Sequence, residues 1–212
     1  MNAVLSPISL ARQPLQQRAK DRFENVLDAA EALLLETGLD GFSIPELAKR
    51  LGYTRASIYK FFPTPAAVLN ELVKRDLKRM ERMLYRVAPQ LLTLTWTEAA
   101  QAVAAHATDF FNSHLIARLL TLGGHLNDDS YHAQQQTIQH LGQFLRQLTQ
   151  HVGVTLPTVP ADVATLTVEI GTACFRQSFY RHGEITSAYR DEAGHAMVAY
   201  LSRYMHVTQS AQ

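Results

Sequence analysis

Apolar side chains recur along this chain at steps of three and four residues, segment after segment, and no stretch alternates convincingly with a period of two. Each segment therefore carries one apolar stripe, which suits helices packed on helices and not sheets. The first stripe sets in at Arg18 and runs through Phe23, Val26, Leu27, Ala30, Leu33 and Leu34, with Gly38 as a left-handed stop. Ser43-Ile44-Pro45-Glu46 opens a second helix. Ser43 can accept from a first-turn N–H while Glu46 reaches back, and Pro45 sits where its missing N–H costs nothing. Leu47, Ala48 and Leu51 face inward, Gly52 ends that helix, and Thr54 caps a third running to about Phe61. Thr64-Pro65 opens a long fourth helix, with Val68, Leu72, Leu77, Met80 and Leu84 in register until Pro89.

The remainder has the same period. Thr95 to Glu98 is a capping-box pattern, 115–122 is short and very apolar, and 129–151 has one apolar side. Pro157 and Pro160 break the chain before 161–181, which is apolar nearly all round, and 186–205 adds a stripe with Tyr189, Tyr200 and Tyr204. The expectation is an all-α fold of about nine helices, with 1–17 as a flexible arm.

Composition narrows the class of protein. At 212 residues, 47% apolar and 18% charged, the chain can bury a core and is not disordered throughout. No apolar run reaches the ~18 residues of a membrane span, and 1–17 lack the apolar core of a secretory signal. A single cysteine, Cys174, excludes an intramolecular disulfide and any zinc site of several thiolates. A cytoplasmic protein with no membrane partner is expected. The net charge of +1 hides an uneven distribution. Residues 1–86 hold 14 Lys/Arg against 10 Asp/Glu, and 87–212 hold 6 against 9. All five lysines lie in the first part, a bias that suits a polyanion partner. Lys74, Arg75, Lys78, Arg79 and Arg82 crowd the fourth helix, interleaved with Glu71, Asp76 and Glu81, and read best as a solvated face. All nine histidines lie in the second part, and no pair has the i, i+4 step that sets two imidazoles on one helical face, so no metal or other cofactor is expected. The carboxylates of 87–212 show no catalytic spacing, which argues against an enzyme.

One motif carries a function. The second and third helices are joined by a few residues around Gly52. A helix-turn-helix needs a small residue at the crossing, a glycine in the turn and an apolar anchor beyond it, and Ala48, Gly52 and Ile58 supply them. Thr54 to Lys60 then brings small, hydroxyl, basic and aromatic groups together, the equipment of a helix that enters a major groove by its N-terminal end. With "VLDAAEALLLETG" followed by "GFSIPELAKRLGYTRASIYKFFPTPAAVLNEL", residues 18–70 resemble the DNA-binding domain of the TetR family of bacterial transcriptional repressors.

That resemblance implies a homodimer whose subunits each carry three N-terminal helices for operator DNA, at 18–64, and a variable helical domain for dimerisation and effector binding, at 65–212. It implies a phosphate contact for Ser43, a groove-facing start for Thr54, Arg55, Ala56 and Ser57, a backbone contact for Tyr59, and a base or phosphate contact for Lys60. Two positions depart from the family pattern: Phe61 stands where a histidine is frequent, and Pro65-Ala66 where a lysine is common. The basic residues Arg18, Lys20 and Arg22 are candidates to replace that lysine. An effector pocket is expected between the fourth helix and the segments 97–122 and 129–151, with His106, Phe110, Phe111, His114, Arg118 and His125 as candidate contacts and a largely apolar ligand with one polar or acidic group. Gly171 is expected to let two helices approach closely across the dimer. Alternatives are an effector-independent DNA-binding structural protein and a helical enzyme.

Overall fold

The structure, a computed structural model, describes residues 10–123 and 128–205, with only the backbone for 128–133. Among the described residues there are nine helices and no strand: α1 (Gln17–Thr37), α2 (Ile44–Leu51), α3 (Arg55–Tyr59), α4 (Pro65–Leu91), α5 (Trp96–Ser113), α6 (Leu115–Leu122), α7 (Asp128–His151), α8 (Val163–His182) and α9 (Ser187–Leu201). The all-α expectation holds. The chain divides into two compact units, Met1–Asp76 with Leu115–Gln134, and Leu77–His114 with Gln135–Gln212. Helix α4 contributes residues to both.

In the first unit, the α1 stripe from Phe23 to Leu34 is buried against Ile44, Leu47 and Ala48 of α2, Ile58 of α3, Phe62, the start of α4, and Ile116 of α6. Phe62 has no exposed surface and stacks on Phe23, ring centroids 4.6 Å apart, while Phe61 meets the same ring edge-on at 6.0 Å. Fully burying side chains of this size contributes about 1.5–3 kcal/mol each, so this cluster dominates the unit's stability. Before α1, the Arg12 amide donates to the Phe61 carbonyl at 2.7 Å, and Gln13 Nε2 donates to Glu71 Oε2 at 3.0 Å.

The solvated face expected on α4 is corrected at Arg75, Glu71 and Asp76, all of which lie largely out of water. Arg75 is 16% exposed; it donates to Asp28 at 2.6 Å, to Glu31 and to the Leu27 carbonyl at 3.4 Å. It straps α4 to α1, because desolvating a guanidinium is tolerable only where carboxylates accept its hydrogens. The stop expected at Pro89 is also corrected: α4 runs to Leu91. Proline removes one donor, to the carbonyl four residues back, but the Leu92 amide still reaches the Ala88 carbonyl at 3.1 Å, and Leu91 is buried.

In the second unit, Thr95 caps α5 as its pattern predicts. Thr95 Oγ1 accepts from the Glu98 amide at 3.3 Å, and the Glu98 carboxylate accepts from the Thr95 amide at 2.9 Å. Helix α9 packs on both α5 and α8. Asn112 ties the end of α5 to the turn before α9, accepting from the Ile185 amide at 3.0 Å and donating to its carbonyl at 2.8 Å. Leu145, Leu156, Val163, Ala164 and Leu201 form a second apolar cluster. Gly171 lies at the contact of α8 with α9 within the subunit. It is buried, and a Cβ there would come 2.9 Å from Met197 Sδ of the same chain.

Candidate nucleic-acid interface

Helices α2 and α3 are set by local chemistry. Ser43 Oγ accepts from the Glu46 amide at 3.3 Å and starts α2. Gly52 takes φ 63°, ψ 27°, a left-handed conformation that L side chains enter only at a cost, and its amide closes α2 onto the Ala48 and Lys49 carbonyls. Only Gly52, Tyr53 and the cap Thr54 separate α2 from α3. Thr54 Oγ1 accepts from the Ser57 amide at 3.2 Å, and Ser57 Oγ donates back to the Thr54 carbonyl at 2.7 Å. Ile58, fully buried, anchors α3 in the core of the unit.

With Ile58 facing in, the first turn of α3 faces out. Thr54, Arg55, Ala56 and Lys60 are exposed, Ser57 and Ser43 half-buried, and Tyr59 is 43% exposed. All seven candidate DNA contacts therefore belong to α2, α3 or their caps, and none is lost to the core. Phe61 is different: it is buried against Phe23, so where the family often carries a polar histidine this chain carries a core side chain. Arg18, Arg22, Ser57 and Lys60 line one open concavity of about 490 Å³ between the start of α1 and the end of α3. Arg18 and Arg22 thus lie beside α3, which sequence spacing alone does not reveal, while Lys20 does not line this concavity.

The candidate effector contacts are divided. His106, Phe110 and His114 border one cleft of about 400 Å³ in the second unit. His114 stacks on Phe110 at 4.3 Å, and its Nδ1 lies 2.9 Å from the Phe110 carbonyl. The same nitrogen lies 3.0 Å from Ser113 Oγ. Phe111 is buried and meets Phe175 at 6.3 Å, in the core rather than the cleft. Arg118, half-buried, lies on α6 in the first unit, and Ile116, Ala117 and Leu122 of the same helix are buried. His125 falls outside the described residues. The cleft contains residues that sequence reasoning did not assign to it, Arg79, Arg82 and Arg86 of α4. Their i, i+3, i+7 spacing was the available signal. A separate apolar cavity of about 50 Å³, bordered by Leu91, Trp96, Val103, Leu145 and Met197, has room for little more than a methyl group.

Cys174 is half-buried, and burial, with Glu192 nearby, pushes its thiol above the usual range, away from the thiolate a redox sensor requires. Among the described residues no group of three His, Cys, Asp or Glu could hold a metal ion, and no helix is long and apolar enough to cross a membrane.

Residues 26–72 match the sequence model of a family described as bacterial regulatory proteins, tetR family. No curated protein matches the chain by sequence. Among solved structures, a TetR-family transcriptional regulator from Streptomyces coelicolor is 22% identical, with a TM-score of 0.61 over 89% of this chain and 99% of that one. FadR from Bacillus subtilis, solved in complex with stearoyl-CoA, is 15% identical, with a TM-score of 0.63 over 84% and 98%. SmeT, the repressor of the Stenotrophomonas maltophilia multidrug efflux pump SmeDEF, is 19% identical, with a TM-score of 0.55 over 85% and 89%. These likenesses agree in the fold, and the match at 26–72 covers α2, α3 and the turn between them: that segment is similar to the helix-turn-helix of bacterial regulatory proteins of the tetR family.

Proposed function

We propose that this protein is a transcriptional repressor that binds a palindromic operator as a homodimer and leaves it when a small molecule occupies the C-terminal domain. In this reading residues 18–64 contact DNA and 65–212 carry dimerisation and effector binding. The observation that carries it is the exposed first turn of α3, held outward by left-handed Gly52 and buried Ile58. In this reading Arg55 reads a guanine edge by a bidentate pair, and Thr54, Ser57, Tyr59 and Ser43 hold phosphates. Two such helices about one DNA turn (~34 Å) apart read a palindrome, which requires a dimer.

Helix α8 supports the dimer. Leu166, Ile170, Ala173, Gln177 and Tyr180 follow one another at steps of four, three, four and three, one stripe of a helix. Leu166 is 40% and Tyr180 59% exposed, an apolar face that a two-fold partner would cover. Effector control acts by differential affinity: a ligand that prefers the conformer with displaced recognition helices lowers operator affinity by that preference, typically 1–3 kcal/mol. The cleft holding His106, Phe110 and His114 is the effector site in this reading. The fold it shares is one in which FadR holds stearoyl-CoA and SmeT represses an efflux pump.

Fluorescence anisotropy on a labelled operator fragment and its scrambled counterpart tests the proposal. Arg55→Ala is expected to cost roughly 1–3 kcal/mol and relax base preference at one position per half-site. Lys60→Ala is expected to weaken binding and flatten its salt dependence. Unchanged affinity and selectivity in Arg55→Ala would overturn the assignment of α3.

A further inference from the structure

We propose that the cleft beside α4 binds a small organic anion carrying two or more negative charges, held by Arg79, Arg82 and Arg86 together with His106 and His114. This rests on the effector reading above and gives that site a ligand class.

Residues 79, 82 and 86 share one face of α4, so three guanidiniums project on one side of a single helix. They border the same concavity as the two imidazoles, and its volume of about 400 Å³ suits a metabolite and not a duplex. Asp109 is the one carboxylate at its wall. Arg82 and Arg86 alone already outnumber that carboxylate, so the wall carries an excess of positive charge.

Elsewhere in the second unit Arg146 binds Asp162, Arg176 faces Glu169 and Arg190 binds Asp191, while Arg181 and Arg203 are exposed and do not border this cleft. Among the described residues, Arg82 and Arg86 enter no ion pair; Arg82 uses only its Nε, on the Lys78 carbonyl at 3.1 Å. Like charges at this spacing repel, and a ligand anion relieves that repulsion while accepting paired N–H bonds from each planar guanidinium. The rest of the wall is mixed, with Ser113 and Asp109 beside apolar groups. Phe110 is buried beneath the stacked His114 ring, and Met83 lies alongside. The His114 ring face and Met83 next to cations fit an anion with an attached ring or hydrocarbon part. This differs from the largely apolar, singly acidic ligand that sequence alone suggests. Phosphate esters and polycarboxylates share the required chemistry, an array of anionic oxygens.

Isothermal titration of the full chain at low salt separates the possibilities, with phenyl phosphate, phthalate and benzoate as probes. At least one of the two dianions is expected to bind saturably at millimolar concentration or below, with benzoate about tenfold weaker or more. Which dianion binds distinguishes phosphate from carboxylate recognition. The double variant Arg82→Gln/Arg86→Gln is expected to lose at least about tenfold in that affinity, with its helical circular dichroism and operator affinity unchanged. Arg82→Lys/Arg86→Lys, which keeps charge but not the fork, is expected to fall between. Failure of both dianions to bind, or equal binding by the glutamine variant, would overturn the proposal while leaving operator recognition intact. A glutamine variant with weakened operator binding and a flatter salt slope would also overturn it, by assigning these arginines to DNA phosphates. A wild-type chain that takes up the dianion but shows no operator preference would instead overturn the functional reading.

Discussion

Asp162 shows how much one carboxylate can organise. Its Oδ1 accepts from the Thr165 amide at 3.1 Å and so starts α8, while both oxygens accept the fork of Arg146 at 3.0 and 3.2 Å. Burial pushes its pKa up, but the Arg146 guanidinium and the Thr165 donors outweigh this and hold the carboxyl below the usual range. A carboxylate whose folded pKa is depressed adds stability that is complete above its unfolded pKa of about 3.9 and is lost as pH falls through the folded value. Acid titration followed by circular dichroism is therefore expected to show Asp162→Ala closer to wild type below about pH 3 than at pH 7, where losing the cap alone costs about 0.5–2 kcal/mol. An identical loss at both pH values would contradict the ion pair. Sequence placed a helix start near Ala161 but gave Asp162 no role, because Arg146 lies on another helix and only packing brings the two together. Gly52 is the contrasting residue. Its left-handed turn could be read from the two helices flanking it, since that requirement is local.

Two helices show why a glycine inside a helical pattern is ambiguous. Gly142 on α7 and Gly171 on α8 both lower helix propensity by ~1 kcal/mol relative to alanine, so in isolation Gly→Ala would stabilise. A Cβ at Gly142 would lie 2.7 Å from Thr165 Oγ1 and 3.0 Å from the Thr165 backbone, which cannot yield without moving the start of α8. Gly142→Ala is thus expected to destabilise by about 1–3 kcal/mol in urea unfolding, overpacking outweighing propensity. At Gly171 the obstacle is Met197 Sδ at 2.9 Å, near the end of a flexible side chain that can turn away, so Gly171→Ala is expected to cost less than Gly142→Ala. The reverse order would mean that α8 and α9 are held more rigidly than their contact implies. Caps were legible where donor and acceptor sit within one turn, as at Ser43, Thr54 and Thr95. The crossing glycines were not, because their meaning depends on which helix lies opposite.

For the chain as a subunit, the stripe on α8 makes a prediction that Gly171 does not. A charge at Gly171 would strike Met197 and disturb the fold of one subunit, whereas Leu166 and Ala173 are exposed. Leu166→Glu/Ala173→Glu is expected to give a folded monomer by light scattering at micromolar concentration, with operator affinity greatly reduced. A wild type that is itself monomeric there, or a double variant that remains dimeric, would remove α8 from the interface. Helix number, most boundaries, the caps and the helix-turn-helix were all determined by sequence alone, because they follow from apolar period, hydroxyl-to-amide reach and glycine at a left-handed turn, which act within a few residues. The tertiary structure decided what each periodic face meets. It turned Arg75 from a solvated cation into a strap on α1, sent Phe111 to the core, and drew Arg79, Arg82 and Arg86 to the cleft of His106 and His114. Those outcomes depend on contacts between side chains distant in sequence, and a stripe of residues shows which way a helix faces without showing what it faces.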